Sequence, residues 1–385
     1  MDICVVNPFF YPYKGGTEKV LLEVYSRLAK RHNVTIITSA LKERNRPSVS
    51  EIFGIKVVRL RTFHEHIPIF PMPFLFFDGL TKAIAKEKSD IYHINNRYQF
   101  FEDSVNTIKR MDRKIALTIH NALPKNIDPV TDELGYFYDW LWGRKLMRVA
   151  DVITGVSTNT IRTTVPRPEL YKTHLVLNGV DYKKFRKIGK DDSGVVSVCR
   201  RLGLAGDTNI ISNGRLVAQK GHMYLIRAVS KLIKEGHNLN LLVIGKGPMK
   251  RQLHLYARIL GMNNRFATAY GVSDDKLPYY YNSSNIFSLP SLYEPAGLAL
   301  LEALACELPS VISRIGGIPE MAGECAFYSR PKDYHSIKAR LNYVLENRNA
   351  AEKVARKGRE RMIKYHDWNK ISKKYESIFL NTIRY

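Results

Sequence analysis

At 385 residues the chain is too long for one ordinary hydrophobic core and suits two domains. Its composition, 45% hydrophobic and 25% charged, is that of an ordinary soluble globular protein. Four cysteines (Cys4, Cys199, Cys306 and Cys325) lack CxxC spacing and sit in apolar surroundings. That argues against a zinc site or a disulfide framework and makes a reducing, cytoplasmic setting the default. A net charge of +24 favours a polyanion or an anionic membrane surface, with a merely solvated basic surface as the plain alternative. Helix-turn-helix punctuation, zinc spacing and RNP-like aromatic stripes are missing, so nucleic acid is the least expected partner.

The N-terminal MDICVVNPFFYP has no basic region before its apolar residues and reads as a first strand rather than a signal peptide. Residues 3–7 form a buried parallel-type strand. The loop FFYPYKGGTE leads to an amphipathic helix from about Glu18 to Lys30. Gly15 and Gly16 stand just before that helix, where bare backbone and a helix N-terminus favour an anion, though a plain tight turn would also use them. Strands are expected at 34–40, 54–60, 89–95, 114–120, 151–157 and 174–181. Helices are expected at 77–88, 102–110, 133–149 and 158–165. Such alternation predicts a doubly wound α/β sheet, whose ligands bind at strand carboxyl ends. Polar residues cluster at three such ends: His93 with Asn95, Asn96 and Arg97; His120 with Asn121; and Ser157 with Asn159. His120 directly follows an apolar strand, and a satisfied loop histidine is its bland reading. Residues 67–77 (IPIFPMPFLFF) are the longest apolar run, too short and too proline-rich to span a bilayer.

From Asp181 to Asp207 the chain is charged and short of apolar residues, which reads as a linker. A second α/β series follows, with strands at 208–214, 239–245, 266–271 and 285–290 and helices at 222–236, 246–261 and 273–284. Two similar halves facing each other predict a deep cleft. Arg215 and Lys220 lie in the loop after a strand, a fork and a point charge suited to a diphosphate unless they are solvated surface charges. Gly245–Pro248 (GKGP) begins a dinucleotide fingerprint, but Lys250 stands where its last glycine should be, so a dehydrogenase is not indicated.

The most informative stretch is 285–321. Glu294 precedes, and Glu302 lies inside, an apolar helix at 298–308, eight residues apart. At about 1.5 Å per residue that is about 12 Å along the axis, too far for a shared proton. A buried carboxylate needs a partner, so each is either satisfied structurally or grips one end of an elongated ligand. Pro295, Ala296, Gly297 and Leu298 frame the helix N-terminus between them, an anion site. Hydroxyls at both ends and phosphate between describe a nucleotide sugar. Two basic helices follow at 333–364, and residues 366–385 form a last helix with Trp368, Ile371, Tyr375, Ile378 and Phe379 on one face.

These pieces occur in a telling order: GGTE at 15–18, LTIH at 117–120, LNGVD at 177–181, GRLVAQKG at 214–221, IGKGP at 244–248, and LPSLYEPAGLALLEALACELPSVIS with GGIPE through Glu320. Over nearly its whole length the chain resembles the retaining glycosyltransferases of family four (glycosyl transferases group one). The resemblance implies the GT-B fold: two facing Rossmann-like doubly wound domains at 1–185 and 186–365, with a C-terminal helix at 366–385 crossing back to the first. It implies transfer of a hexose from a nucleotide-diphosphate sugar. Glu294 would hold donor-sugar hydroxyls, Glu302 the ribose, and Arg215 with Lys220 the diphosphate. Gly15 and Gly16 would bring N–H groups to the phosphates, His120 would stabilise the transition state, and Asn95, Asn96 and Arg97 would lie on the acceptor side. No DxD triplet occurs, so neither a metal nor another cofactor is expected beyond the donor itself. The basic surface and residues 67–77 point to a glycolipid or lipid-linked saccharide acceptor and to a peripheral place on the inner membrane face. A soluble sugar or glucan acceptor, or a non-catalytic scaffold, is the alternative. Two departures from the family pattern stand out: Ala296 where a larger residue is common, and Glu307 where glycine is usual.

Overall fold

The computed structural model describes residues 1–13, 15–40, 45–65, 74–95, 102–121, 133, 136–137, 139–203 and 207–384. They form two compact units, Met1–Asn178 with Trp368–Tyr385, and Gly179–Asp367. The division falls at 178/179 rather than 185/186, and the last helix joins the first unit from residue 368.

The first unit is built on an apolar, β-branched strand β1 (Asp2–Val6), flanked in parallel by β2 (Asn33–Ser39) and β7 (Ile91–Ile94). Between β2 and β7 in sequence come β3 (Ser48–Ile52), β4 (Ile55–Leu60), β5 (Thr62–Glu65) and β6 (Phe74–Phe77). After β7 come β8 (Lys114–Ile119), β9 (Val152–Gly155) and β10 (Thr173–Leu175). Among the described residues the main sheet runs β10-β9-β8-β7-β1-β2-β4-β3, all parallel except β3 on β4. The strand expected at 174–181 is only the three residues of β10. Strands β5 and β6 pair outside this sheet as an antiparallel ribbon. Sequence patterning did not disclose β3, β5 or β6: β3 and β5 have no continuous apolar run, and β6 ends the proline-rich apolar stretch.

Five described α-helices accompany the sheet: α1 (Gly16–Leu28), α2 (Leu80–Glu87), α3 (Glu102–Arg110), α4 (Arg144–Val149) and α5 (Thr158–Thr164). The helix expected at 133–149 is described as a π-helical turn, Asp139–Gly143, running into α4. Helix α1 buries Val20, Leu21, Val24, Tyr25 and Leu28, the 3–4 spacing of its apolar residues.

In the second unit the order is β13-β12-β11-β14-β15-β16, all parallel: β11 (Thr208–Asn213), β12 (Leu239–Ile244), β13 (Phe266–Ala269), β14 (Ile286–Leu289), β15 (Ser310–Ser313) and β16 (Phe327–Ser329). The supposed linker contains a helix, α6 (Ser193–Leu202), with Val195 and Val198 buried. The Asp192 carboxylate caps it, accepting from Gly194 N at 2.8 Å. Its charged flanks hid it; its two inward valines and its cap are the signals that mark it. The remaining helices are α7 (His222–Lys234), α8 (Lys250–Ile259), α9 (Leu277–Asn282), α10 (Leu298–Ala305), α11 (Ile318–Ala322), α12 (Tyr334–Glu346) and α13 (Arg348–Tyr365). The helix expected to begin at 246 starts at Lys250, because Gly245–Pro248 is loop.

The final helix α14 (Trp368–Arg384) packs on α1 within the first unit, burying Trp368, Ile371, Tyr375, Ile378 and Phe379. No helix among the described residues is long and apolar enough to cross a membrane.

Candidate active site

In the parallel part of each sheet the chain order reverses direction once, and the crevice at that switch is where a doubly wound sheet presents its loops. In the second unit the switch lies between β11 and β14. The loop after β11 carries Arg215 and Lys220, and the loop after β14 carries Glu294. They meet: the Lys220 ammonium makes an ion pair with Glu294 Oε2. The same oxygen accepts from Ser291 Oγ at 3.1 Å, and Oε1 accepts from Gly297 N at 3.3 Å. Glu294 is 7% exposed, so its charge is answered in place by lysine, hydroxyl and the α10 N-terminus.

The backbone of Glu294 is fixed by the GGIPE turn. Gly317 N donates to Glu294 O at 3.1 Å. Gly316 has φ +56, and a Cβ there would stand 2.2 Å from that carbonyl oxygen, so only glycine fits. The GKGP glycines serve the neighbouring loop: a Cβ on Gly247 would stand 2.4 Å from Leu216 O. They are close-packing glycines beside Arg215, not a dinucleotide fingerprint.

Glu302, buried on α10, accepts from Tyr281 Oη at 2.8 Å, and Tyr281 in turn accepts from Asn213 Nδ2 at 2.9 Å. Burial first, and then the neighbouring Glu302 carboxylate, raise the Tyr281 phenol well above its ordinary value, so it donates as a neutral group. Neither Tyr281 nor Asn213 was named from sequence; Asn213 ends a strand, which was the available signal. Arg215 is exposed and makes no ion pair among the described residues. Pro295 and Leu298 are half-buried, while Ala296 and Gly297 are buried, with Gly297 at φ +60 capping α10. A cavity of about 540 Å³ opens at the carboxyl end of β13, lined by Arg201, Tyr270, Gly271, Val272, Ser273 and Lys276 among others. The strand-end rule points there as well, and sequence reading passed over it.

Glu307 has φ +57 at the end of α10, which explains why glycine suits the position. Leu308 N donates to Ala303 O and Glu307 N to Leu304 O, each at 3.1 Å, the paired bonds of a left-handed helix stop. Its carboxylate lies 3.7 Å from Arg359 Nε and 3.8 Å from Lys187 Nζ, which offset the unfavourable helix end.

In the first unit the corresponding switch lies between β1 and β7. Gly15 and Gly16 are exposed at the N-terminus of α1, in the β1–α1 connection. His120 follows β8, and its Nε2 lies 3.1 Å from Oδ1 of the buried Asn95, which follows β7. Burial pushes the His120 imidazolium down to about 4, so the ring is neutral near pH 7. Asn96 and Arg97 lie outside the described residues, as do residues 67–73 of the apolar run.

Each unit therefore carries its own share of the expected residues. The chain matches the family model of the group 1 glycosyl transferases over residues 201–361 and that of glycosyltransferase family 4 over residues 14–184. The chain belongs to the group 1 glycosyl transferases. It is 29% identical over 211 residues to an uncharacterized glycosyltransferase, MJ1607, of Methanocaldococcus jannaschii, a match covering 54% of each chain. It is 23% identical over 400 residues to the phosphatidylinositol N-acetylglucosaminyltransferase GPI3 subunit of Saccharomyces cerevisiae, covering 99% of this chain and 83% of that one. Among solved structures, Anabaena Alr3699/HepE in complex with UDP-glucose superposes with a TM-score of 0.76 at 17% identity, covering 99% of this chain and 100% of that one. The transferase thus has the GT-B fold of two α/β domains with parallel sheets.

Proposed function

We propose that this transferase moves a hexose from a nucleotide-diphosphate sugar to a glycolipid or lipid-linked saccharide, with retention of configuration and without a metal ion. The observation that carries the reading is the meeting of Lys220, Glu294 and the α10 N-terminus at the β11/β14 switch. It joins a cation, a carboxylate and the backbone N–H groups of a helix start, the chemistry that a sugar joined to a diphosphate requires. Glu294 accepts from the sugar hydroxyls, Lys220 and Arg215 take the charge of the diphosphate, and Glu302 takes the ribose. The acceptor oxygen forms a bond to the anomeric carbon on the face from which the diphosphate leaves. The carbon–oxygen bond to phosphate breaks with its electrons on the leaving oxygen, and that oxygen takes the acceptor proton.

The HepE complex with UDP-glucose and the phosphatidylinositol-directed yeast relative support the donor and acceptor classes. A peripheral place on the cytoplasmic membrane face is supported by the net charge of +24 and by the β5–β6 ribbon. There Phe63 and Phe76 are direct cross-strand partners and both are exposed, with the Arg61 guanidinium 5.0 Å above the Phe63 ring.

The test is a product screen of UDP-, GDP- and ADP-sugars against lipid-linked and soluble acceptors, with and without EDTA, the anomeric configuration being read by NMR. A lipid product of retained configuration that survives EDTA is expected. A soluble product, an inverted product, or loss on chelation would overturn the corresponding part, and no transfer from any donor would favour a scaffold.

A further inference from the structure

We propose that Asn95 is a positioning residue that fixes His120 in a single tautomer, with the proton on Nε2 and the bare Nδ1 lone pair left for a ligand hydroxyl. A buried polar chain lies beneath His120. Residues two apart on a strand share a face. Accordingly His93 and Asn95 of the β7 segment, and Thr118 and His120 of the β8 segment, form two successive rungs. His93 Nε2 lies 2.6 Å from Thr118 Oγ1, and Asn95 Oδ1 lies 3.1 Å from His120 Nε2. Both rungs join residues 25 apart in sequence.

Tyr25 of α1 ties the rungs together. Its hydroxyl bonds His93 Nδ1, and the Asn95 amide is its neighbour. Asn95 is 2% exposed, and its Nδ2 has no hydrogen-bond partner among the described residues. Below, Thr118 Oγ1 lies 2.5 Å from Thr154 Oγ1 and 3.5 Å from the Tyr375 hydroxyl of α14. The rings of Tyr375 and Phe379 close over His93 at 5.8 and 5.1 Å.

Such a chain has a direction. Burial pushes His93 down to about 3, so its ring is neutral and carries one proton. In one order Tyr25 donates to His93 Nδ1, and His93 Nε2–H donates to Thr118. The Tyr25 oxygen then faces the Asn95 NH₂, and the Asn95 carbonyl accepts from His120 Nε2–H. In the reverse order Thr118 donates to His93, His93 to Tyr25 and Tyr25 to a turned-over Asn95. That Asn95 then donates to His120 Nε2 and leaves the proton on Nδ1. The amide stands with Oδ1 toward His120, the arrangement of the first order. His120 therefore meets its ligand as a hydrogen-bond acceptor, not a donor. The proton order stands on the first unit alone; only its use toward a sugar hydroxyl rests on the glycosyl-transfer reading.

The full chain labelled with ¹⁵N in its histidine rings tests this at pH 7, with His120 assigned by the signals lost in His120→Gln. The wild type should show Nε2 protonated and Nδ1 bare. Asn95→Ala should average the two nitrogens, Asn95→Asp should restore the wild-type pattern, and Tyr25→Phe, which frees the amide to turn over, should also mix them. A side chain that merely fills space would leave the tautomer unmoved. A proton on Nδ1 in the wild type overturns the proposal, as does a wild-type pattern in Asn95→Ala or Tyr25→Phe. If Asn95→Ala does not fold, the wild type and Tyr25→Phe decide. Donor-induced thermal stabilisation, measured on the same samples, separates failure of this proposal from failure of the transfer reading.

Discussion

Charge is met by charge in the second unit. Glu294 is buried with Lys220 against it and N–H groups at its other oxygen, and Glu302 is held by a neutral phenol. In the first unit the described residues that directly follow β7 and β8 are neutral: His120 leans on the Asn95 amide, and beneath it a histidine, a tyrosine and a threonine hydrogen-bond one another. A buried charge costs several kcal/mol unless paired, so the second unit keeps a paired charge at its switch, which on the proposed reading meets a charged ligand. The first unit is built to orient a hydrogen bond.

The comparison breaks most sharply if the ion pair is cut. Glu294→Gln keeps the shape and removes the charge, and Lys220→Ala removes the cation. Each is expected to lower the transfer rate about 10²–10³-fold, the usual consequence of losing one preorganised electrostatic contact. Rates on the best donor of the screen check this; a loss below about threefold would mean that the pair is structural only.

Acid should separate the units. His93 and His120 are held down to about 3 and about 4 in the first unit, and His222 to about 4 in the second. Burial is the leading cause in all three. Each folded pKa lies below the unfolded value near 6.5, so the unfolded chain binds more protons on acidification. Stability is full above about 6.5 and falls as the pH drops toward 4. Between pH 7 and 5 the loss is roughly 2 kcal/mol for each of these three histidines, two of them in the first unit and one in the second. The partly buried His174 and His254, also lowered, add one small contribution to each side. Hydrogen exchange of the β7–β8 amides and of the β11–β12 amides at the two pH values reads the difference. Equal losses would contradict it.

Tyr281→Phe should cost about 1–2 kcal/mol by leaving the buried Glu302 without that donor, measured by urea denaturation. It should also weaken donor binding if Glu302 grips the ribose. The smallest effect is expected at Glu307→Gly. It relieves a left-handed backbone at the cost of two long ion pairs, for a net gain of roughly 0.5–1 kcal/mol in the same assay. A loss would show that Arg359 and Lys187 matter more than the strain.

Much of this was legible in the sequence, and the exceptions have physical reasons. Buried parallel strands read as apolar runs, so β1, β8, β12 and β14 were plain. A glutamate inside an apolar helix announced that it needed a partner, but which residue supplied it was a matter of tertiary contact, and Tyr281 lies 21 residues away. Helix α6 hid among charges because only two of its side chains point inward. His93 read as one of the polar residues at a strand end. Its place in a polar chain depends on Tyr25 and Tyr375, which are distant in sequence and brought to it by α1 and α14.

The most direct test of the central claim is donor binding by thermal shift, with UDP-, GDP- and ADP-sugars on the wild type and on Lys220→Ala. At 100 times its dissociation constant a true donor adds about 2.7 kcal/mol of stability, a rise of a few degrees. The account predicts that one nucleotide sugar gives this rise and that Lys220→Ala abolishes most of it. No rise with any donor, or an undiminished rise in Lys220→Ala, would contradict it.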